Sequence, residues 1–364
     1  MLGEVMAVGE LGIGSDDYGK DAPTKINNIS NIEDIYVSDT SIYAITQDGS
    51  LYAWGDNYFG QLGIGNIETE YQTLPTKIEN LNNVDKIYYY NGSCCAKTKT
   101  GEVYACGNNY YGQLGIGNTE NQSSPIKVNG ITNVEEIYTN GFSTFAKTNT
   151  GEVYAWGRNY YGQLGIGNTE NQSSPIKVNG ITNVEEIYIY GSCIFAKTNI
   201  GEVYVWGKNG KGQLGIGNTE DQSMPVKINE LANVEEIYRN SSSIYAKTKT
   251  GEVYAWGEND EGQLGLGNTE NQNVPTKIEG LPNVANFLDG AIITSDGKLY
   301  LIRGKDYLPE LITLDGKLYN NGEYVESIGG DVLRGENYAK YFTFIYSTNN
   351  VYINLHSMDD TGPN

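Results

Sequence analysis

A glycine-rich stretch is the first candidate for chemistry, because loops of closely spaced glycines can cradle a phosphate. Such a loop needs a helix N-terminus behind it and a lysine or an acidic residue at a fixed distance. The stretch Gly-Gln-Leu-Gly-Ile-Gly is followed by neither. Its first four residues occur five times, beginning at Gly60, Gly112, Gly162, Gly212 and Gly262. Five copies in one chain indicate a structural turn.

Hydrolytic and metal chemistry have little support in the sequence. The chain has a single histidine, His356. The clustered carboxylates Glu135-Glu136, Glu185-Glu186 and Glu235-Glu236 recur with the repeat, which is typical of a solvated scaffold. We therefore expect no catalytic residue, no metal and no cofactor, and predict that the chain is not an enzyme.

Four cysteines, Cys94, Cys95, Cys106 and Cys193, match no zinc-ligand spacing, and two adjacent cysteines do not suit a simple disulfide framework. Aligning the repeats gives them another role. Cys95 occupies the position of an aromatic residue, and Cys106 that of a tryptophan present in the other regular repeats. We interpret the cysteines as small core residues.

The charge balance limits the partners. Lys and Arg number 24 against 45 Asp and Glu, a net charge of −21. Such a surface is repelled by nucleic acid and by anionic lipid, so we expect neither as a partner. The charge favours solubility, and among protein partners a basic one.

Neither a membrane segment nor a leader is visible. No run of eighteen apolar residues occurs. The start, Met1–Val5, has no basic segment or hydrophobic run of the kind that a signal peptide needs. The cytoplasm is the default expectation, and secretion the alternative if the chain is a fragment, because it begins inside a repeat.

An internal repeat of about fifty residues organises the chain. The Gly-Gln-Leu-Gly copies are separated by 52, 50, 50 and 50 residues, and a degenerate copy, Gly9-Glu10-Leu11-Gly12, precedes the first by 51. Residues 111–138 and 161–188 are identical over 28 positions. Whole units were therefore duplicated.

One unit contains several short strands and no helical periodicity. In the third regular unit, Phe145–Thr148 and Glu152–Gly157 flank a turn that ends in Gly151, which is typical of a hairpin with a glycine bulge. Val134–Tyr138 precedes the hairpin, and Pro175–Val178 resembles a further strand. Such units cannot bury both faces alone, so neighbours must pack together.

The two ends decide between a ring and an open array. The N-terminus starts in mid-unit with Gly3–Gly9, and the C-terminal region keeps hairpin signatures at Asp296–Tyr300 and Asp315–Tyr319, followed by a candidate strand pair, Tyr341–Ser347 with Val351–Leu355. Complementary half-units can pair and seal a ring. We predict an all-β, seven-bladed propeller that is a single domain over 1–364, with regular repeats in 3–280 and degenerate blades in 281–364.

The repeat resembles the regulator of chromosome condensation repeat family. The matching residues are Leu51–Gly65 and their four later copies, each followed by a proline at Pro75, Pro125, Pro175, Pro225 or Pro275. Kelch propellers share the period, but these units lack the kelch glycine doublet. The resemblance implies a seven-bladed propeller and leaves function open, since the family includes exchange factors for a small GTPase, enzyme inhibitors, a photoreceptor and scaffolds.

The histidine content and the positions of the tryptophans argue against two of these functions. Exchange members of the family carry specific histidines, which this chain lacks apart from one. A photoreceptor needs tryptophans gathered on one surface, whereas the four here occupy one equivalent strand position and are expected in the core. We therefore expect a monomeric, non-catalytic scaffold that binds a protein partner. Nucleotide exchange and inhibition of a secreted enzyme are the alternatives.

A binding site in a repeat protein is expected where the repeats differ. One variable set follows Ile-Tyr: Val37–Ile42, Tyr89–Cys94, Thr139–Thr144, Ile189–Ile194 and Arg239–Ile244. The other lies between Trp-Gly and Gly-Gln: Asp56–Phe59, Asn108–Tyr111, Arg158–Tyr161, Lys208–Lys211 and Glu258–Glu261. From the second set we predict these partner-binding residues: Tyr58, Phe59, Tyr110, Tyr111, Tyr160, Tyr161, Lys211 and Glu261. We expect the first ring of each pair to be exposed.

Overall fold

The computed structural model describes residues 11–14, 24–38, 40–65, 70–281, 284–288, 291–295, 299–301, 310–312, 317–320, 323–327, 340–347 and 350–357. The chain divides into two compact units, Met1–Leu281 and Pro282–Asn364. The boundary falls where the regular repeats end. Every regular element of the described part is a strand, and no helix occurs there.

The first unit contains five antiparallel four-stranded sheets, in each of which successive strands pair in chain order. Blade 1 consists of β1 (Ile32–Val37), β2 (Ser41–Thr46), β3 (Leu51–Asp56) and β4 (Tyr71–Lys77). Blade 2 consists of β5 (Val84–Tyr90), β6 (Ser93–Thr98), β7 (Val103–Gly107) and β8 (Gln122–Lys127). Blade 3 consists of β9 (Val134–Thr139), β10 (Ser143–Thr148), β11 (Val153–Gly157) and β12 (Gln172–Lys177). Blade 4 consists of β13 (Val184–Tyr190), β14 (Cys193–Thr198), β15 (Val203–Gly207) and β16 (Gln222–Lys227). Blade 5 consists of β17 (Val234–Asn240), β18 (Ser243–Thr248), β19 (Val253–Gly257) and β20 (Gln272–Lys277).

Each blade is built around the predicted central hairpin. In blade 3, Ser143 pairs with Gly157 and Lys147 with Val153. The amide of Thr148 donates to the carbonyl of Glu152 at 2.9 Å, which closes the turn. All six residues of β10 are buried, because neighbouring blades cover both faces of the central strands. The first strands of adjacent blades approach each other, so they are innermost and the fourth strands outermost.

The core lies between blades. One cluster joins Val103 and Leu114 of blade 2 to Ile137 and Trp156 of blade 3, and the same arrangement recurs at the following seams. Burial of these side chains from both sides is the main stabilising contribution. A single blade could not supply it, as the repeat pattern predicted.

The Gly-Gln-Leu-Gly turn joins each blade to the next. The indole of Trp156 donates to the carbonyl of Gln113 at 2.8 Å, and the same bond links Trp206 to Gln163. Gly115 has a φ of +71°, and a Cβ there would lie 2.7 Å from the Trp156 Nε1 atom. Only glycine allows this approach, so the motif is the structural turn that its repetition predicted.

The cysteines are core residues, as the repeat alignment predicted. All four are buried and free. The Cys106 thiol donates to the carbonyl of Gln61 at 3.3 Å, which replaces the indole bond of the other blades. Burial raises the pKa of Cys95, and likewise of Cys193, well above the ordinary thiol value.

The degenerate N-terminal copy acts as a sixth turn of the same kind. A Cβ on Gly12 would lie 2.8 Å from the Nε1 atom of Trp54 in blade 1. The amide of Gly14 donates to the carbonyl of Thr73 at 2.9 Å, matching the bond from Gly117 to Ser173 two blades later. The predicted half-unit strand in 3–9 lies outside the described residues.

The second unit contains sheets of two or three strands. These are β21 (Val284–Leu288), β22 (Ala291–Thr294) and β23 (Leu299–Leu301); β24 (Glu310–Ile312), β25 (Lys317–Asn320) and β26 (Glu323–Ser327); and β27 (Lys340–Ser347) with β28 (Asn350–Ser357). The predicted terminal strand pair is present, with Tyr341 opposite His356 and Ser347 opposite Asn350. The β-propeller class is confirmed by the five four-stranded sheets together with the solved structures compared below. The count of seven, closure of the ring and the single-domain assignment stay predictions.

Candidate functional site

Both variable loop sets lie at the same end of the blades. One joins the first strand to the second, and the other joins the third to the fourth, so an antiparallel meander brings them together. The amide of Asn108 donates to the carbonyl of Gly92 at 2.8 Å, and the amide of Arg158 donates in the same way to Phe142. We call the surface formed by these loops in blades 1 to 5 the upper face.

The first ring of each predicted pair is exposed. Tyr58 is 66% exposed, Tyr110 74% and Tyr160 69%. Each stands edge-on to the ring that follows it, with centroids 4.9 to 5.0 Å apart. Three consecutive blades therefore present a tyrosine side chain to solvent from the same loop position. That these rings bind a partner stays a prediction.

The second ring of each pair packs against the next blade. A Cβ on Gly92 would lie 2.6 Å from the ring of Phe59, so this glycine makes room for it. Tyr111 lies edge-on to Phe142, with centroids 5.7 Å apart. Phe59, Tyr111 and Tyr161 are half-buried. These second rings position the exposed first rings, whether or not they also contact a partner.

Buried amides hold these loops in shape. The Asn159 side chain is fully buried; it donates to the carbonyls of Asn168 and Glu170 and accepts from the amide of Leu164. The side chain of Gln163 accepts from the amide of Tyr161 at 2.8 Å. The same bonds recur in blade 2 and in blade 4. A rigid frame therefore carries the variable side chains.

Cations lie over the rings at three places on the upper face. The Arg158 guanidinium is 5.4 Å from the centroid of Tyr111, and the Lys208 ammonium is 5.2 Å from that of Tyr161. Arg239 lies 5.7 Å from the ring of Tyr190, at the inner end of the loops. These cation–π contacts join neighbouring blades. None of the three cations was among the predicted partner-binding residues, although two of them occupy the same loop position in successive repeats.

The two charged residues predicted for the site differ in their surroundings. Lys211 bridges to the next blade, 2.9 Å from a Glu258 oxygen and 3.2 Å from an Asp260 oxygen. The hydrogen bonds that Lys211 donates to Glu258 and then to Asp260 raise the pKa of Lys211. Its charge is therefore matched within the chain. Glu261 is exposed.

An inner cleft of about 660 Å³ is lined by the first strands of blades 1 to 4, including Tyr36, Tyr89 and Tyr138. Burial, and then a hydrogen bond to Asp34, raises the pKa of Tyr36 to about 12. Burial likewise raises the pKa of Tyr138 to about 12, so Tyr36 and Tyr138 stay protonated at neutral pH and supply no base. Among the described residues, no group of three His, Cys, Asp or Glu side chains could hold a metal ion. In the same part of the chain, no helix is long and apolar enough to cross a membrane.

Comparison with known proteins identifies the family. The family model described as RCC1-like domain matches residues 2–237, more than half of the chain. The chain belongs to this family. A second model, the regulator of chromosome condensation (RCC1) repeat, matches residues 250–291. The resemblance predicted from the repeat motif is confirmed.

Curated relatives of this RCC1-like chain match it locally. The Ultraviolet-B receptor UVR8 of Arabidopsis thaliana is 34% identical over 113 residues, which are 30% of this chain and 25% of that protein. The probable E3 ubiquitin-protein ligase HERC4 of Homo sapiens is 32% identical over 115 residues, 29% of this chain and 10% of that protein. The chain thus spans a quarter or less of these relatives.

Solved structures of other proteins share the fold of this chain. Human WBSCR16 is 25% identical with a TM-score of 0.54, and the match covers 70% of this chain and 69% of that one. Prp20p of Saccharomyces cerevisiae, described with its binding properties to Gsp1p and histones, is 22% identical with a TM-score of 0.54, covering 70% and 65%. The tryptophans of this chain are at most 2% exposed, as expected of core residues.

Proposed function

We propose that this RCC1-like chain is a non-catalytic scaffold that holds a protein partner on its upper face. The observation that carries the proposal is the repeated exposure of Tyr58, Tyr110 and Tyr160 on three consecutive blades. Tyrosine presents a large rigid ring with a polar tip, and aromatic side chains dominate the binding energy of protein interfaces. The second ring of each pair and the buried amides fix the loops, so little ordering accompanies binding.

Alanine substitution tests the proposal. Tyr58→Ala, Tyr110→Ala and Tyr160→Ala are combined in one variant, and its affinity for a protein captured from native lysate or culture medium is measured with its melting temperature. Truncation of a buried interface aromatic costs roughly 2 kcal/mol or more, so we expect a loss of affinity above about thirtyfold with an unchanged melt.

A matched control uses exposed apolar residues away from the upper face. Ile126, Ile176 and Met224 lie on the fourth strands and are 39%, 39% and 54% exposed. Their combined alanine variant should bind like the wild type. Equal losses in both variants, or a fall of several degrees in the melting temperature of the tyrosine variant, would show that the rings are scaffold and not a binding surface.

Nucleotide exchange and inhibition of a secreted enzyme are the alternative functions. Prp20p shares the fold, but its sequence identity of 22% is too low for its function to be transferred to this chain. The match to HERC4 covers only a tenth of that ligase. Release of a fluorescent guanine nucleotide from small GTPases tests exchange. Multiple-turnover acceleration of nucleotide release by this chain would contradict the scaffold proposal and support nucleotide exchange instead.

A further inference from the structure

The upper face carries a local charge opposite to that of the chain. In blades 2 to 4 the two variable loop sets contain three cations, Arg158, Lys208 and Lys211, and no carboxylate. The whole chain has a net charge of −21. Carboxylates return in the same loops of blade 1, at Asp56, and of blade 5, at Glu258–Glu261. The middle blades therefore form a positive area on a negative protein.

Two cations of this area, and a third on the adjoining first strand of blade 5, are not neutralised within the described part of the chain. Lys211 is ion-paired to blade 5, but Arg158, Lys208 and Arg239 have no carboxylate partner among the described residues. They are held over rings instead. A ring leaves the outward side of a guanidinium or ammonium free to bind an anion. Most other lysines of the blades pair with glutamates, for example Lys127 with Glu102 at 2.6 Å.

The exposed rings lie beside these cations. Tyr160 adjoins the Tyr161–Lys208 contact, and Tyr110 adjoins the Tyr111–Arg158 contact. Further out, Glu120, Glu170 and Glu220 precede the outermost strands and are exposed. An anionic segment would be repelled from that outer rim and attracted to the inner loops. Charge complementarity thus selects both the ligand and its position.

We propose that the upper face of blades 2 to 4, with Arg239 on the adjoining first strand of blade 5, binds an acidic protein segment, whose carboxylates pair with Arg158, Lys208 and Arg239 while its apolar side chains pack on Tyr110 and Tyr160. The inference rests on the proposed function and specifies the partner's chemistry. It opposes the expectation from net charge alone, which favours a basic partner. Local charge decides because interactions beyond about 8 to 10 Å are screened at physiological salt.

The first test is the selection of short random peptides, displayed on phage, on the immobilised full-length chain. The wild type should enrich peptides of net negative charge, although its own charge of −21 opposes their approach. Double-stranded DNA serves as the anionic non-protein probe and should not bind. Enrichment of basic or uncharged peptides, absence of enrichment, self-association as the sole interaction, or tighter binding of DNA would each overturn the proposal.

Charge-reversal variants locate the site. In Arg158→Glu/Lys208→Glu, the best acidic peptide should lose at least about tenfold in affinity by fluorescence anisotropy. The control Lys99→Glu/Lys249→Glu changes the net charge equally, at exposed hairpin turns of blades 2 and 5 on the opposite end of the strands, and should stay within about twofold. Equal losses in the two variants would mean that net charge acts, and not this site.

Two further measurements separate the possible failures. Arg158→Gln/Lys208→Gln removes charge without adding repulsion; it should retain the wild-type melting temperature within a few degrees and still lose affinity. Tyr110→Ala/Tyr160→Ala tests the underlying scaffold proposal. If binding of the selected peptides requires the two tyrosines but the peptides carry no negative charge, only the proposal of an acidic segment is refuted. Acidic peptides that depend on the cations and not on the tyrosines would refute the tyrosine surface.

Discussion

Replacement of Trp206 tests the contact that joins neighbouring blades. The indole is fully buried and donates to the backbone carbonyl of Gln163 in the preceding blade at 2.8 Å. Its ring lies 6.3 Å from that of Phe145. Trp206→Phe keeps most of the apolar ring and removes the donor. Trp206→Ala removes both.

The expected costs follow from these contacts. A buried carbonyl left without its donor costs about 1–3 kcal/mol, so Trp206→Phe should lower the free energy of unfolding by that amount. Trp206→Ala adds a cavity and should cost about 3–5 kcal/mol. At about 2–4 °C per kcal/mol, the melting temperature should fall by roughly 2–12 °C for Trp206→Phe and by roughly 6–20 °C for Trp206→Ala.

Calorimetry and urea unfolding measure both variants, with Tyr160→Ala as an exposed-ring control that should stay within about 0.5 kcal/mol. Blade 2 provides an internal comparison, because Cys106 keeps a weaker bond to Gln61 at the equivalent position. A Trp206→Ala variant less than about 1 kcal/mol below the wild type would refute the reasoning that seams between blades hold the fold.

Three further outcomes are expected. Lys197→Ile should change stability by no more than about 1 kcal/mol in urea unfolding, since Ile45 fills the same buried position in blade 1; a loss above 3 kcal/mol would show that the ion pairs are essential. Asn159→Ala should cost about 2–4 kcal/mol, because three hydrogen bonds of a buried loop anchor are lost; a wild-type melt would contradict this role. Cys95 and Cys193 should react with a thiol reagent only after the protein unfolds, and rapid labelling of the native protein would contradict their burial. The pKa of both thiols is raised above the ordinary 9.0 in the folded protein. Their contribution to the free energy of unfolding should therefore be fully present below pH 9 and be lost as the pH rises toward the folded pKa.

Much of the fold could be predicted because the same sequence pattern occurs in several successive repeats. The hairpin around Gly151, the buried tryptophans and the Gly-Gln-Leu-Gly turn each recur at a fixed spacing, so an accidental pattern is excluded. Substitutions within the repeat were equally informative. Cys106 stands where a tryptophan is expected, and the structure shows it donating to the same carbonyl.

The site was less predictable because its contacts cross from one repeat to the next. Exposure of Tyr110 was expected because it is the first ring of its pair, and the second ring, Tyr111, directly precedes the Gly-Gln turn. The position of Arg158 over Tyr111 depends on how two blades pack, which no single repeat encodes. Lys211 illustrates the same point, since its partners Glu258 and Asp260 belong to the next repeat. That both variable loop sets share one face follows from strand direction, which the sequence analysis did not use.

Site-specific photo-cross-linking tests the central claim most directly. A photoreactive phenylalanine analogue is placed singly at positions 58, 110 and 160 on the upper face, and at 126, 176 and 224 on the outer strands. One protein partner should be cross-linked from the three upper-face positions and from none of the outer-strand positions. Cross-linking of that partner from the outer strands, with none from positions 58, 110 and 160, would contradict the claim.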